Sequence, residues 1–362
     1  MDSVSSRTTV EFLGDGRAAS RPAARRTPAR LLALAVAGLL AASAAACGTE
    51  ATGGSSGAPA GGAVPAAAAS APAHPSLTPE QARRIFNENR ELQIRANRAE
   101  RADRTGDRLL PAAETGLALA LDRARFRLHR LRGTRPSPMR PVSNVRVYVP
   151  RQPVGWFAAS YPLADGHATV ILTRTSDGWK MSTSAWSEGD LPKIALDGDG
   201  YATAVGPDQV EDLRVSPRQV AAAYARYRKS AGEGQGDLFA DGPHTSRFSA
   251  DVQADRADLA GWFSDEFADT PAKAVYALRT ADGGALTWHG LTEVQTLTRL
   301  DSLAQLQIKD PDIAALTGTR RLAGDLKVTA RAAYLTHIPT ASSGGQAKVL
   351  GEFFVYTNAR VR

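Results

Sequence analysis

Cysteine is nearly absent from this chain: Cys47 is the one thiol in 362 residues. That excludes a disulfide framework and any paired-cysteine metal or redox centre, so stability outside a cell would rest on core packing. Histidine is sparse as well, six in all, and beyond His74 the others, His129, His167, His244, His289 and His337, are scattered. None stands two or four residues from another, the spacings that put a ligand pair on one strand face or one helix face. HExxH, SxxK and the Walker loop are missing, and there is no GxSxG nucleophile elbow: Gly53-Gly54-Ser55-Ser56-Gly57 matches that spacing only within a run of Ala, Gly, Ser and Pro. Each would have fixed a nucleophile, a ligand pair or a phosphate cradle, so serine acyl-enzyme and zinc-peptidase chemistry are not indicated. No metal or cofactor is expected. Lysine is also scarce, seven against 37 arginines, in an alanine-rich chain of net charge +7. Such a bias reflects a GC-rich genome rather than a nucleic-acid partner, and none is expected.

What is present organises itself around residues 31–47, LLALAVAGLLAASAAAC, which follow Arg25, Arg26 and Arg30. With 16 residues before Cys47 the stretch falls short of the roughly 20 that span a bilayer as a helix. An uncharged segment behind basic residues is instead a secretory signal. Thr27-Pro28 after Arg25-Arg26 fits twin-arginine export poorly. Leu40, the small residues Ala41 to Ala46, then Cys47 and Gly48 resemble the lipobox of bacterial lipoproteins. The resemblance implies a diacylglycerol thioether on the Cys47 sulfur and cleavage that leaves this cysteine as the new N-terminus. Cys47 is thus the lipidation site, the membrane a partner through that lipid, and the extracytoplasmic face of the cell membrane the location. The lead before the apolar core, 30 residues, is long for the pattern.

Four segments follow from this reading: a signal peptide (1–46), a lipid-anchored flexible linker (47–76), and two α+β units (77–214 and 215–362). Of the 29 residues 48–76, 24 are Ala, Gly, Ser or Pro. Such a tether buries no core and has an end-to-end distance of roughly 30 Å.

The first unit opens on Thr78-Pro79-Glu80-Gln81, a cap, a first-turn proline and a capping-box glutamine. Ala82, Ile85, Phe86 and Leu92 then predict a helix to about Arg104. Leu117, Leu121, Ala124, Leu128 and Leu131 fit a further helix, while Ala124, Phe126 and Leu128 also alternate as a strand would. From Val145 the period is two: Val145–Val149, Val154–Tyr161, Ala168–Thr175, Trp179–Trp186 and Lys193–Val205 predict an antiparallel meander, with turns at Asp165-Gly166 and Asp177-Gly178. Between residues 83 and 135, 14 arginines face seven acids, a solvated helix exterior or a face attracted to an anionic membrane. Asp197-Gly198-Asp199-Gly200, with Asp208, echoes a calcium loop, but Tyr201 and Ala202 occupy places that need an oxygen ligand and a glycine, so a hairpin turn is expected.

The programme then restarts. Val215-Ser216-Pro217-Arg218-Gln219-Val220 repeats the pattern of Leu77-Thr78-Pro79-Glu80-Gln81-Ala82. Val220, Ala223, Tyr224 and Tyr227 form a buried helix face, 231–243 a loop, and Asp258–Phe267 a second helix with Trp262 and Phe263 inward. Strands are predicted over Lys273–Thr280, Leu286–Leu300, Lys327–Ile338 and Lys348–Asn358. On a half-buried strand Trp288 and His289 point to opposite faces, one core and one surface, as do Tyr334 and His337. Trp156, Trp179, Trp186 and Trp262 are core residues by default, with ligand stacking a second role for Trp179 or Trp186.

Helices followed by a curved antiparallel meander, twice over, resemble the cone-like nuclear-transport-factor-2-like (cystatin-like) fold. The whole chain, anchor included, is similar to uncharacterised actinobacterial lipoproteins. The resemblance implies an α+β fold of two tandem cone-like units, each an N-terminal helix on a curved antiparallel sheet, after a disordered leader. It transfers no catalytic residue. A non-enzymatic binding or scaffold module with an envelope protein partner is expected; the alternative is a small-ligand carrier, or an isomerase- or dehydratase-like enzyme, using the cavity under one sheet.

Overall fold

The computed structural model describes Val10–Phe12 and residues 75–234 and 237–362. Cys47, the apolar stretch before it and linker residues 48–74 lie outside the described residues.

Val10–Phe12 forms a short strand, β1. Three helices open the body: α1 (Pro79–Asp103), α2 (Gly106–Ala113) and α3 (Gly116–Leu131). Thr78 and Gln81 make the expected capping box, and Arg104 ends α1 in the left-handed region. A Cβ on Gly106 would strike the Ala96 carbonyl and Glu100, so glycine permits the tight turn-back of α2 onto α1. The alternating reading of 124–128 gives way to helix: Leu121, Phe126 and Leu128 of α3 are buried.

β2 (Arg146–Tyr148), β3 (Trp156–Leu163), β4 (Gly166–Thr175) and β5 (Gly178–Ser187) then run as an antiparallel meander. The strand expected over Lys193–Val205 does not form. That segment makes isolated bridges instead, Ile194 to Thr280 and Ala204 to Leu278, because its own turn diverts the chain. Asp197 Oδ1 accepts from the Asp199 and Tyr201 amides at 3.0 Å each. The two carboxylates are taken by Arg151 at 2.5 and 2.7 Å, whose hydrogen bond holds Asp197 down to about 2. The segment is thus a turn closed by an arginine.

The second half begins with α4 (Pro217–Ser230), whose Ser216–Gln219 capping box duplicates that of α1. After a π turn over Pro243–Arg247 comes α5 (Phe248–Leu259), then β6 (Phe263–Phe267), β7 (Thr270–Pro271), β8 (Tyr276–Arg279), β9 (Ala285–Arg299), β10 (Leu306–Ile308), α6 (Pro311–Thr317), β11 (Arg321–Leu322), β12 (Leu326–Ile338) and β13 (Lys348–Val361). The helix expected over Asp258–Phe267 is corrected here. Only Phe248, Val252 and Leu259 of α5 carry large apolar side chains, which hid its period. Gly261, at φ 84°, turns the chain into β6, burying Phe263 but leaving Trp262 38 % exposed.

The strands make one mixed-origin antiparallel sheet in the order β2-β3-β4-β5-β13-β12-β9-β6, with β7 and β8 also on β9. The two halves therefore share a sheet rather than owning one each. Their junction is narrow, Gly351 opposite Ser187 and Glu352 opposite Trp186, and a Cβ on Gly351 would run into the Trp186 carbonyl. About this junction the sheet doubles back. Phe157, Ala159, Val170 and Leu172 of the first half pack with Ala82 and Phe86 of α1. The other face offers Ala158, Ile171 and Ala185 to Leu286, Trp288 and Leu335 of the second half. Leu121 and Leu128 of α3 cross over to Ala333 and Val355 on β12 and β13. A separate small sheet, β1-β10-β11, lies beside α6 over a core of Leu306, Ile308, Ile313, Leu322 and Leu326. The fold is mixed α+β with a large antiparallel sheet.

Candidate functional site

α4 lays Val220, Tyr224 and Tyr227 against the second half of the sheet, and the next position on that stripe is an arginine. Arg228 is 1 % exposed. Its Nη2 donates to Glu293 Oε2 of β9 at 2.5 Å, and its guanidinium lies 3.6 Å from the Phe248 ring centre, a cation–π arrangement. The Tyr334 hydroxyl of β12 donates to the other oxygen, Glu293 Oε1. Burial pushes the Arg228 pKa down, but Glu293 together with Tyr334, Tyr224 and Glu352 outweighs it, and the group stays well above its ordinary value. Burial pushes the Tyr334 hydroxyl up, so it remains a donor. Both Glu293 oxygens are thereby engaged, and the carboxylate is a structural acceptor rather than a free base.

Above this floor is a cavity of about 40 Å³, room for a few waters or a small cationic group and too small for a drug-sized ligand. Phe248 and Val252 of α5 and Phe267, Phe354 and Tyr356 of the sheet supply apolar walls; Asp251, Asp255, Asp265 and Glu293 supply carboxylates. Burial, with the charges of Asp265, Asp251 and Asp258, pushes Asp255 up to about 6. Burial also raises Asp265, opposed by the 3.0 Å hydrogen bond from Gln295 and the Arg256 charge. The site can therefore take up a proton, or an ammonium-like charge, near neutrality.

Asp255 gives a pH test. Its folded pKa lies above the unfolded carboxylate value, so the folded protein holds this proton between about pH 4 and 6 and the contribution is lost as pH rises through about 6. Asp255→Asn should be the more stable form at pH 7, by about 1–2 kcal/mol, with the advantage vanishing at pH 4. Urea denaturation of both proteins across that range would check it.

A second polar cluster fastens the helices of the first half. Asn89 Nδ2 donates to the Ala113 carbonyl at 2.6 Å, and Gln93 Nε2 lies 3.4 Å from Glu114 Oε1. Burial and the neighbouring Asp122 carboxyl push Glu114 well above its ordinary value, and Arg125 stands 3.1 Å from Asp122.

The sequence-level candidates are not brought together. His129 bonds Thr134, His167 the Gly189 carbonyl, and His337 the Asp282 carboxylate at 3.2 Å. His244 stands 3.7 Å from Glu352. Among the described residues no group of three or more His, Cys, Asp or Glu could hold a metal. The expectation that Trp288 or His289 is a surface residue is corrected: both are 2 % exposed. Trp288 Nε1 donates to Thr169 Oγ1 of the first half at 2.9 Å. His289 Nε2 pairs Thr336 Oγ1 at 3.0 Å, and burial pushes the ring down to about 3, so it stays neutral. Both faces of β9 are covered because the first half packs behind it. Trp179 packs on Phe157 at 5.3 Å, and Trp156 on Tyr276 at 5.4 Å. Sequence reading missed Arg228, Glu293 and Asp255, and named Tyr334 only for its strand face. The available signal was an arginine on the apolar stripe of α4 and a glutamate two residues beyond Leu291 on the buried face of β9.

The chain is 34% identical over 183 residues to an uncharacterised lipoprotein of Streptomyces avermitilis, covering 49% of this chain and 53% of that protein. It is 29% identical over 167 residues to an uncharacterised lipoprotein of Streptomyces coelicolor, covering 43% and 47%. The chain thus matches about half the length of these curated relatives. No solved structure matches. The family described as a domain of unknown function, DUF8094, matches residues 73–360, nearly all of the folded body. The chain belongs to the DUF8094 family.

Proposed function

We propose that this protein is an extracytoplasmic lipoprotein, held to the cell membrane by lipid on Cys47, whose body is a non-enzymatic binding or scaffold module of the cell envelope. The observation that carries the reading is the Leu40–Gly48 lipobox pattern at the end of a short apolar segment. The lipoprotein names of the two Streptomyces relatives support it. Cys47→Ser should remove the diacylglycerol from the protein and leave residues 1–46 attached, read by intact mass. An unchanged mass would overturn the anchor. Crosslinking of the anchored protein in cells, followed by mass spectrometry, tests the scaffold role through repeated recovery of one envelope protein.

The body is read as two copies of one α+β plan, 77–214 and 215–362, of the cone-like kind. Arg90 and Arg228 are each the twelfth residue after the helix N-cap, and each sits over a tyrosine of its own half, at 5.6 and 5.8 Å from Tyr161 and Tyr334. A second reading, binding of a small cation in the α5 cavity, is favoured by the raised carboxyl of Asp255 among aromatic walls.

A further inference from the structure

The small sheet contains a strand that the proposed export would take away. β1 pairs antiparallel with β10, Val10 opposite Ile308, Glu11 opposite Gln307 and Phe12 opposite Leu306. Yet Val10–Phe12 precedes the apolar segment and Cys47 in the chain. During export a signal segment holds what lies before it on the cytoplasmic side, and cleavage at Cys47 then discards it. In the processed protein β10 keeps its inner neighbour β11, and its outer edge is open.

That edge is also held from its inner side. Leu306 and Ile308 are fully buried in a core with Ile313, Leu322 and Leu326. The Ile308 amide donates to the Arg320 carbonyl at 2.8 Å, on the β11 side. Along an antiparallel strand successive residues direct their backbone groups to alternate sides, so the Gln307 N–H and C=O point outward, to the place β1 fills. Just before β10 the chain exposes large apolar side chains: Leu300 is 60 % and Leu303 83 % exposed. A strand continued past the position opposite Leu306 in the same register runs toward Leu303.

We propose that the outer edge of β10, with Leu300 and Leu303 beside it, is a strand-addition site for an extended segment of a protein partner. The segment has the apolar–acidic–aromatic character of Val10-Glu11-Phe12 and adds antiparallel. Backbone hydrogen bonds through Gln307 hold it, and the exposed leucines select its apolar residues. This inference rests on the export reading, because only processing opens the edge.

The test uses the lipidated protein purified from membranes in mild detergent, with its N-terminal mass measured first. The probe is a fluorescein-labelled synthetic peptide of residues 7–14, followed by anisotropy. The expected result is a start at Cys47, saturable binding, and binding weakened about tenfold or more when proline replaces Glu11 of the peptide or Gln307 of the protein. The peptide change leaves the protein untouched, so a folding defect in Gln307→Pro does not blur the result. Leu303→Ser should weaken binding with the backbone intact. A processed protein that fails to bind the peptide, or binds the proline peptide equally, overturns the site while leaving export standing. A protein that retains residues 1–46 overturns the open edge together with the export reading. Dimers that the peptide disperses would overturn the partner assignment in favour of a second copy of this chain.

Discussion

Arg228→Met should destabilise the protein by about 3–5 kcal/mol, because it removes one member of a buried, hydrogen-bonded charge pair. The side chains of Arg228 and Glu293 are 1 % and 6 % exposed, so bulk water does not reach the remaining carboxylate, and the small cavity beside it offers a few waters at most. Tyr334 would still donate to it, but one neutral hydrogen bond does not replace a guanidinium at 2.5 Å. Removing the whole cluster should cost far less. Arg228→Met with Glu293→Leu and Tyr334→Phe should recover most of the loss, since apolar replacements of similar volume leave no unmet charge. Urea denaturation of the single and triple variants measures both effects. A single variant within 1 kcal/mol of the parent, taking about 3 as the least expected, would mean that the pair is hydrated and the floor of the cavity is open.

Trp288→Ala should cost a similar amount, about 3–5 kcal/mol, through the lost contacts and the void left behind. Trp288 lies between the two halves, among Ala158, Ile171 and Ala185 on one side and Leu278, Leu286 and Leu335 on the other. Its loss should therefore lower one shared transition rather than release one half. Trp288→Phe keeps an aromatic body but gives up the hydrogen bond to Thr169, for about 1–2 kcal/mol. Scanning calorimetry distinguishes the outcomes: two separated melting transitions in Trp288→Ala would show that the halves are energetically independent.

The helix starts were legible because their determinants are local. Thr78 with Gln81 and Ser216 with Gln219 close their capping boxes within four residues. Strands β3, β4 and β5 were legible for the same reason, with alternation and Asp-Gly turns all within reach of one another. What escaped depends on distant partners. The Lys193–Val205 segment alternates like a strand but bridges several different segments in passing. β9 reads as half-buried because the first half of the chain, which covers its second face, is more than a hundred residues away. Arg228 is visible as an irregularity on an apolar stripe, but nothing near it announces Glu293, 65 residues on. The carboxylates of α5 look like a solvated helix face until β6 and β9 are laid beside them.

The strand order carries a consequence for how the body acquires its shape. Of the strands in the large sheet, the one that joins the halves, β13, comes latest in the chain. A polypeptide threaded across a membrane N-terminus first would deliver α1 to β5 early, yet β5 would face an absent neighbour, and β12 would too. Native pairing of the two halves must wait while roughly half the sequence is synthesised and threaded, a high-contact-order closure that is slow by nature. In the interval two bare strand edges compete for any exposed backbone nearby. Under the proposed export that burden would fall on the outer surface of the membrane, where neighbouring nascent copies, or a chaperone, would meet those edges before the chain's own final segment does.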